Sequence, residues 1–355
     1  MMAMRTEDHR DADGWELPLL SSDLIAAPFA HAFSMRAGGV SPAPYDSLNL
    51  GARWLDVPAN VAENRRRLLG AAGLAGPLYV ARQVHGAAVT RVRAGDDPAA
   101  VARVEADALI TNDRGVALGV FVADCIPALI VDPRSGAAAA AHAGWRGTVA
   151  GVLPAVVRAL GEEFGARPGD LRVALGPAIG PCCFEVGPEV VREFETALGG
   201  GAEDVVRPSP RGVPGKWHVD LKAANRLLLE RAGVSSGAID PSPDCTFHDG
   251  ARFFSYRRDR HDCRAGPEER RHVLEAMGGR TRASLAIAAL QFGALAAGCG
   301  GGGGSANTGG GRGGGSGATA GAGAGGVAGA NPAGAGGATG ADSQSCSLFR
   351  FEAFR

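Results

Sequence analysis

The segment VADCIPALIVDPRSGAAAAAHAGWRG, residues 122–147, restricts the fold of this chain more than any other stretch. Two short apolar runs, ALIVD and AAAAA, flank DPRSG, whose Asp, Pro, Ser and Gly build turns. The pattern predicts a β-hairpin centred near Pro133 and Arg134. Cys125 and His142 lie at similar distances on either side of that centre. Antiparallel pairing therefore brings them to the same open end. Two metal-competent side chains converge without any long-range assumption. A buried structural cysteine and a hydrogen-bonded histidine fit the same pattern, and the segment alone leaves both readings open.

Length and charge narrow the class. The 355 residues allow one large domain or two. A net charge of −1 gives no electrostatic reason to expect nucleic acid or a membrane surface as partner. Many of the 55 glycines fall after Gly298, in runs such as GCGGGGGSANTGGGRGGGSG. Such a run has too little apolar surface to offset the entropy of ordering it. The expected organisation is an N-terminal extension over 1–27 and a single catalytic domain over 28–260. A segment with a signal-like apolar stretch follows over 261–298, then a disordered Gly/Ala-rich tail over 299–355.

The start MMAMRTEDHRDADGW is charged and has no apolar core, so it is not a signal peptide. The seven cysteines form no CxxC pair, which argues against a disulfide scaffold and for a cytoplasmic, reducing location. The stretch MGGRTRASLAIAALQFGALAAGC, residues 277–299, has a basic start, an apolar run and a terminal LAAGC. That is the grammar of a lipoprotein signal with Cys299 as the lipidated residue. Inside a longer chain it suggests two joined reading frames; an amphipathic helix with a linker is the alternative.

Strand-like and helix-like runs alternate through the body. GPLYVARQVHG predicts a strand ending at His85, and ADALITN and VALGVFVA predict strands before Cys125. GTVAGVLPAVVRALGEEFG, VGPEVVREFETAL and HVDLKAANRLLLERAG are amphipathic at helical spacing. DLRVALGPAIG predicts a strand entering a Gly-Pro loop, and RFFSYRRD a last strand. A tight hairpin among helical crossovers makes this an α/β chain with mixed sheets.

His85 is the third candidate ligand, at a strand end and followed by Gly86. With Cys125 and His142 it completes a His/Cys/His set. Three protein ligands leave a fourth position for water or substrate, the catalytic arrangement of zinc. Asp124, beside Cys125, is a candidate partner for a ligand histidine, or a turn aspartate. GWRGT after His142 offers Arg146 and a helix start as an anion site. The loop FSMRAGGVSPAPYDSLNLG, residues 33–51, offers Arg36 and Asn49, and RQVHGA offers Gln83, as substrate contacts. In GPAIGPCCFEVG the adjacent Cys182 and Cys183 are poorly spaced to ligate one ion together and are expected to pack.

Taken together, FSMRAGGVSPAPYDSLNLG, QVHG, ADALIT, VADCIPALIVDP, AAHAGWRGTVAG, GPAIGPCCFEVG and FFSYRRD resemble the laccase-domain family over about residues 28–259. That family is also called the polyphenol oxidase or purine nucleoside phosphorylase family and has been linked to peptidoglycan editing. The resemblance implies an α-β-β-α sandwich with mixed sheets. It implies a metal site at His85, Cys125 and His142, with zinc as the cofactor and copper as the other candidate. It also implies phosphorolysis of adenosine, inosine, guanosine and methylthioadenosine, and deamination of adenosine, so that purine nucleosides and phosphate are the expected partners. Met35 stands where the family usually has Thr. After Asp259 the family pattern calls for a Gly/Thr-Gly-Arg turn and a short apolar end, whereas RHDCRAGPEERRHVL follows here.

Two other activities compete. A multicopper oxidase needs many imidazole ligands. This chain has 8 histidines, of which His9, His261 and His272 lie outside the resemblance, so too few remain. A cysteine-dependent amidase linked to peptidoglycan editing would use Cys125 as nucleophile and His142 as base. A non-enzymatic binding module is a further reading.

Overall fold

A computed structural model describes residues 4–10, 14–51, 56–74, 76–210, 212–261 and 284–290. The chain divides into Met1–Ala296 and Ala297–Arg355, and every described residue falls in the first unit. The tail expected over 299–355 lies outside the described residues.

Two six-stranded mixed sheets dominate. The first runs in the order Arg5–Arg10, Glu16–Ser21, Phe29–Ser34, Ser284–Leu290, Ala117–Val122 and Leu78–Tyr79, antiparallel except for its last pair. The second runs Ile239–Pro241, Arg172–Leu175, Ile126–Asp132, Ala137–Ala143, Ala108–Thr111 and Val89–Arg91, with parallel pairs only at its two ends. A three-stranded sheet joins Glu185–Val186, Trp217–Val219 and Val206–Pro208.

Period-two alternation explains the layers. In the second sheet Ile126, Ala128 and Ile130 pack on the helix Val152–Phe164 through Val152, Val156 and Leu160. Leu129 and Val131 point the other way, against Phe33, Leu118 and Val120 of the first sheet. The outer face of the first sheet carries Leu17, Leu19 and Ala32 against Leu68 and Ala71 of the helix Pro58–Ala71. The order is helix, sheet, sheet, helix, the α-β-β-α sandwich that the family resemblance implies. Cover on both faces explains why the inner strands ALIT, ALGVFV, IPALIVD and AAAAAHA are nearly continuous apolar runs, whereas the edge strand RTEDHR is not.

The predicted hairpin is present. Ile126–Asp132 pairs with Ala137–Ala143, with Pro127 opposite His142. Five alanines favour a helix by propensity alone. Here the turn decides. Asp132 accepts hydrogen bonds from the backbone of Arg134 and Ser135 and from the Ser135 hydroxyl, and Gly136 takes a left-handed φ of 74°. Glycine supplies that conformation at no steric cost. Ala108–Thr111 then pairs with the other edge of the alanine strand.

Three expectations change. The stretch read as an N-terminal extension contains the strands Arg5–Arg10 and Glu16–Ser21, and Leu17, Leu19 and Leu20 of ELPLLS are buried. RFFSYRRD is not a strand: Phe253 and Phe254 are buried, and Ser255 accepts from the Arg258 backbone N–H to start the helix Tyr256–His261. A serine in that place favours a helix start over strand continuation. Finally, SLAIAAL within the signal-like stretch is the strand Ser284–Leu290, paired on both edges. Without it, Phe29–Ser34 and Ala117–Val122 would each leave a row of backbone groups unpaired. Among the described residues, no helix is long and apolar enough to cross a membrane.

Candidate metal centre

His85, Cys125 and His142 meet, with one ligand atom from each lying within 4.8 Å of the others. His142 is the penultimate residue of the alanine strand and is 3% exposed. Cys125 immediately precedes the partner strand of the hairpin and is half-buried. His85 is exposed and lies in a loop, because the strand expected to end there stops at Tyr79. The rings of His85 and His142 stand edge to face, with centroids 4.7 Å apart. The Cys125 Sγ lies 4.0 Å from His85 Nε2.

Asp107 organises the centre, and sequence reading missed it. It is fully buried. Its carboxylate lies 2.7 Å from His142 Nδ1 and accepts the backbone N–H groups of Val84, His85 and Gly86 at 3.1, 2.9 and 2.7 Å. One side chain therefore fixes one ligand's ring and the other ligand's backbone. The three backbone bonds hold His85 at a φ of 62°, a left-handed conformation uncommon for a non-glycine residue. Burial raises the Asp107 carboxyl, but the bonds from His142 and from the Gly86 and Val84 amides outweigh it and keep the group below its ordinary range. With Nδ1 committed to Asp107, Nε2 is the His142 atom turned toward Cys125 and left to serve as a ligand. The visible signal was a lone carboxylate leading into the apolar run ALIT.

The donor set is electrostatically coupled. Burial pushes the Cys125 thiol up, but the charge and hydrogen bond of His142, with help from His85, bring it down to about 6. Burial lowers His142, and the Cys125 charge and the Asp107 hydrogen bond raise it to about 9. Each group thus favours the charged form of the other, thiolate beside imidazolium, and a cation would replace that proton. Gly144 makes room for all three ligands. A Cβ there would lie 2.9 Å from Cys125 Sγ, 2.9 Å from His85 Cδ2 and 3.7 Å from His142 Cε1. The donor chemistry, spacing and Asp107 bond fit a zinc-type ion.

Of the other expected site residues, Asp124, Arg36, Asn49 and Gln83 are engaged elsewhere. Asp124 does not reach a ligand histidine. At a φ of 85° it turns away to accept the Thr246 hydroxyl and the Arg257 backbone N–H, both at 2.6 Å. Arg36 binds Asp46 through its carbonyl and carboxylate, and also the Gly250 carbonyl. Asn49 is fully buried and bonds Gly51 and Asp56. Gln83 clamps the Phe121 backbone through its N–H and carbonyl at 2.8 Å each, as a neighbouring strand would. Arg146 is exposed and stacks on Trp145, 4.4 Å from the ring centroid. Its helix, Trp145–Val149, has 5 residues, and Thr148 is tied to Gly144 and Asn225. Too little dipole accumulates over so short a helix for its N-terminus to act as an anion site. Any anion binding there falls to the Arg146 side chain.

The layers and the His/Cys/His group together describe an α-β-β-α protein with a candidate metal centre. A family model described as multi-copper polyphenol oxidoreductase laccase matches residues 30–266, and the chain belongs to that family. It is 43% identical over 244 residues to a purine nucleoside phosphorylase of Deinococcus radiodurans, covering 68% of this chain and 88% of that one. It is 48% identical over 224 residues to purine nucleoside phosphorylase PA4543 of Pseudomonas aeruginosa, covering 63% and 85%. The crystal structure of YlmD from Geobacillus stearothermophilus superposes with a TM-score of 0.68 at 33% identity, covering 81% of this chain and 100% of that one.

Proposed function

We propose that this protein is a metal-dependent purine nucleoside phosphorylase that also deaminates adenosine, with its chemistry at His85, Cys125 and His142. The observation that carries the reading is a three-ligand donor set with one exposed member, His85. Three protein ligands leave room for a reacting group. Family membership and the names of the two relatives supply the substrate class. Adenosine, inosine, guanosine and methylthioadenosine share the bond that phosphate would replace. Phosphorolysis joins a phosphate oxygen to C1′ of the ribose as the bond from C1′ to the purine nitrogen breaks. Deamination exchanges the C6 amino group for a water oxygen.

Zinc, or copper, held there would supply a Lewis acid and a water ionised near neutral pH. Asp107 orients His142, and Cys125 contributes a thiolate. Arg146, exposed four residues after His142, serves as the phosphate contact. The donor set does not suit a multicopper oxidase. Among the described residues the candidate ligand groups hold three histidines, too few for several copper ions. The protein would act in the cytoplasm.

The test follows ribose-1-phosphate from inosine and ammonia from adenosine over a phosphate titration. Arg146→Ala should impair the phosphate-dependent product more than ammonia release. Equal loss of both, with unchanged phosphate dependence, would remove Arg146 from the phosphate role. A second reading rests on the Cys125 thiol at about 6 beside His142: a cysteine amidase. Alkylation distinguishes the two. Metal should shield Cys125 in the first case, whereas in the second the thiol reacts and activity is lost without any metal involved.

A further inference from the structure

A second group of soft ligands lies apart from this centre. Cys182, Cys183, Cys245 and His248 place their ligand atoms within 4.8 Å of one another, and Cys182 Sγ lies 3.5 Å from His248 Nδ1. We propose that these four side chains form a closed structural site for one zinc-type cation. Around a tetrahedral zinc, sulfur bonds of about 2.3 Å and nitrogen bonds of about 2.0 Å put neighbouring ligands roughly 3.5–3.8 Å apart. Three thiolates and an imidazole select zinc over the hard cations, and four protein ligands leave no position for substrate.

Local geometry explains how adjacent cysteines share one ion. Along an extended strand neighbouring side chains point to opposite faces. Here the chain turns: the Gly180 carbonyl accepts the N–H groups of both Cys183 and Phe184 at 3.0 Å. Inside a turn, Cys182 and Cys183 can reach the same side; Cys183 also packs against the core as expected, whereas Cys182 is exposed. Gly180 also donates its N–H to Cys245 Sγ at 3.2 Å. A Cβ on Gly180 would stand 3.1 Å from Cys182 Sγ and 3.3 Å from Cys245 Cβ, so the sulfurs close over a residue that has no side chain. The second loop is held in place independently. Ala178 and Cys245 form a parallel bridge, and Lys222 Nζ donates to the Ser242 and Asp244 carbonyls at 2.6 Å.

The cation would fasten the 176–187 loop to the loop that carries Thr246. Thr246 bonds Asp124, the residue before Cys125, so the second site would brace the first at a distance of a few side chains. This does not depend on the proposed reaction.

The test is metal analysis of the full chain purified under reducing conditions with zinc. Wild type should hold two equivalents. Cys125→Ser should hold one, and Cys182→Ser/His248→Ala should also hold one, with Cys125 still shielded from alkylation as evidence of a folded first centre. If the double variant does not fold, cobalt decides: Cys125→Ser loaded with cobalt should show the intense sulfur-to-cobalt absorption of a three-thiolate tetrahedral site. A single equivalent in wild type that Cys125→Ser abolishes would overturn the proposal. So would a folded double variant with undiminished metal, absence of the cobalt absorption, or a disulfide within the cluster in the reduced preparation.

Discussion

The Asp107 carboxylate joins His142 and His85: it lies 2.7 Å from the His142 ring nitrogen and accepts the His85 backbone N–H at 2.9 Å. Asp107→Asn replaces one acceptor oxygen by a donor that must face other donors. Metal affinity should fall about 10–100-fold, as for other lost partners of ligand histidines. Stability should fall by roughly 1–3 kcal/mol for each amide left without a partner. Chelator competition and thermal unfolding measure the two. Wild-type affinity in Asp107→Asn would show that the carboxylate does not orient the ligands.

Gly144→Ala separates crowding of the ligands from general misfolding. Gly144 has a φ of −71°, which any residue adopts, so the backbone is not strained by the change. The new methyl would press on Cys125 and His85. Metal affinity should drop by at least about tenfold, with the melting temperature of the metal-free protein nearly unchanged. Full metal loading in Gly144→Ala would show that the ligands have room to shift.

Gln83→Ala tests whether Gln83 touches substrate. Its amide pairs with both polar groups of the Phe121 backbone. Removing it should cost about 1–3 kcal/mol of stability and leave KM for inosine at the wild-type value. A raised KM with unchanged stability would restore the substrate role that its place in RQVHGA suggested.

His31 should make the fold acid-sensitive. Burial, then the charge of Arg5, lowers it from the ordinary 6.5 to about 4, and its Nε2 accepts the Ser22 N–H at 2.9 Å. Above pH 6.5 the imidazole is neutral in folded and unfolded chains alike, so it has no effect. As pH falls from 6.5 to 4 the unfolded chain takes up a proton that the folded chain refuses, and stability declines by up to about 3 kcal/mol. Denaturant unfolding of wild type and His31→Gln across that range is the measurement. Parallel pH curves would exclude the effect.

The hairpin was legible because its turn and both apolar runs sit within one short segment. Local pairing was enough to bring Cys125 to His142. Asp107 was not legible, because its role depends on amides supplied by Val84, His85 and Gly86 from another segment. Asp124 misled for the opposite reason. It is a neighbour of Cys125 in sequence, but its left-handed backbone aims it at Thr246 and Arg257. Asn49 and Arg36 looked like loop donors open to a ligand, and only the folded loop shows their hydrogen bonds already taken. Ser284–Leu290 has the composition of a signal segment, and its identity as a strand comes from the gap it fills rather than from its own residues.

That strand also sets the order of events during synthesis. Phe29–Ser34 and Ala117–Val122 leave the ribosome well before Ser284–Leu290, the strand that separates them in the finished sheet. Until it arrives, a nascent chain carries two open ladders in the middle of its first sheet, where most proteins have open ladders only at the rim. Domains generally fold as units. The first sheet can be completed only once Ser284–Leu290 has emerged. A chain ending before Ser284 would leave both edges open, and open edges are templates for pairing between molecules.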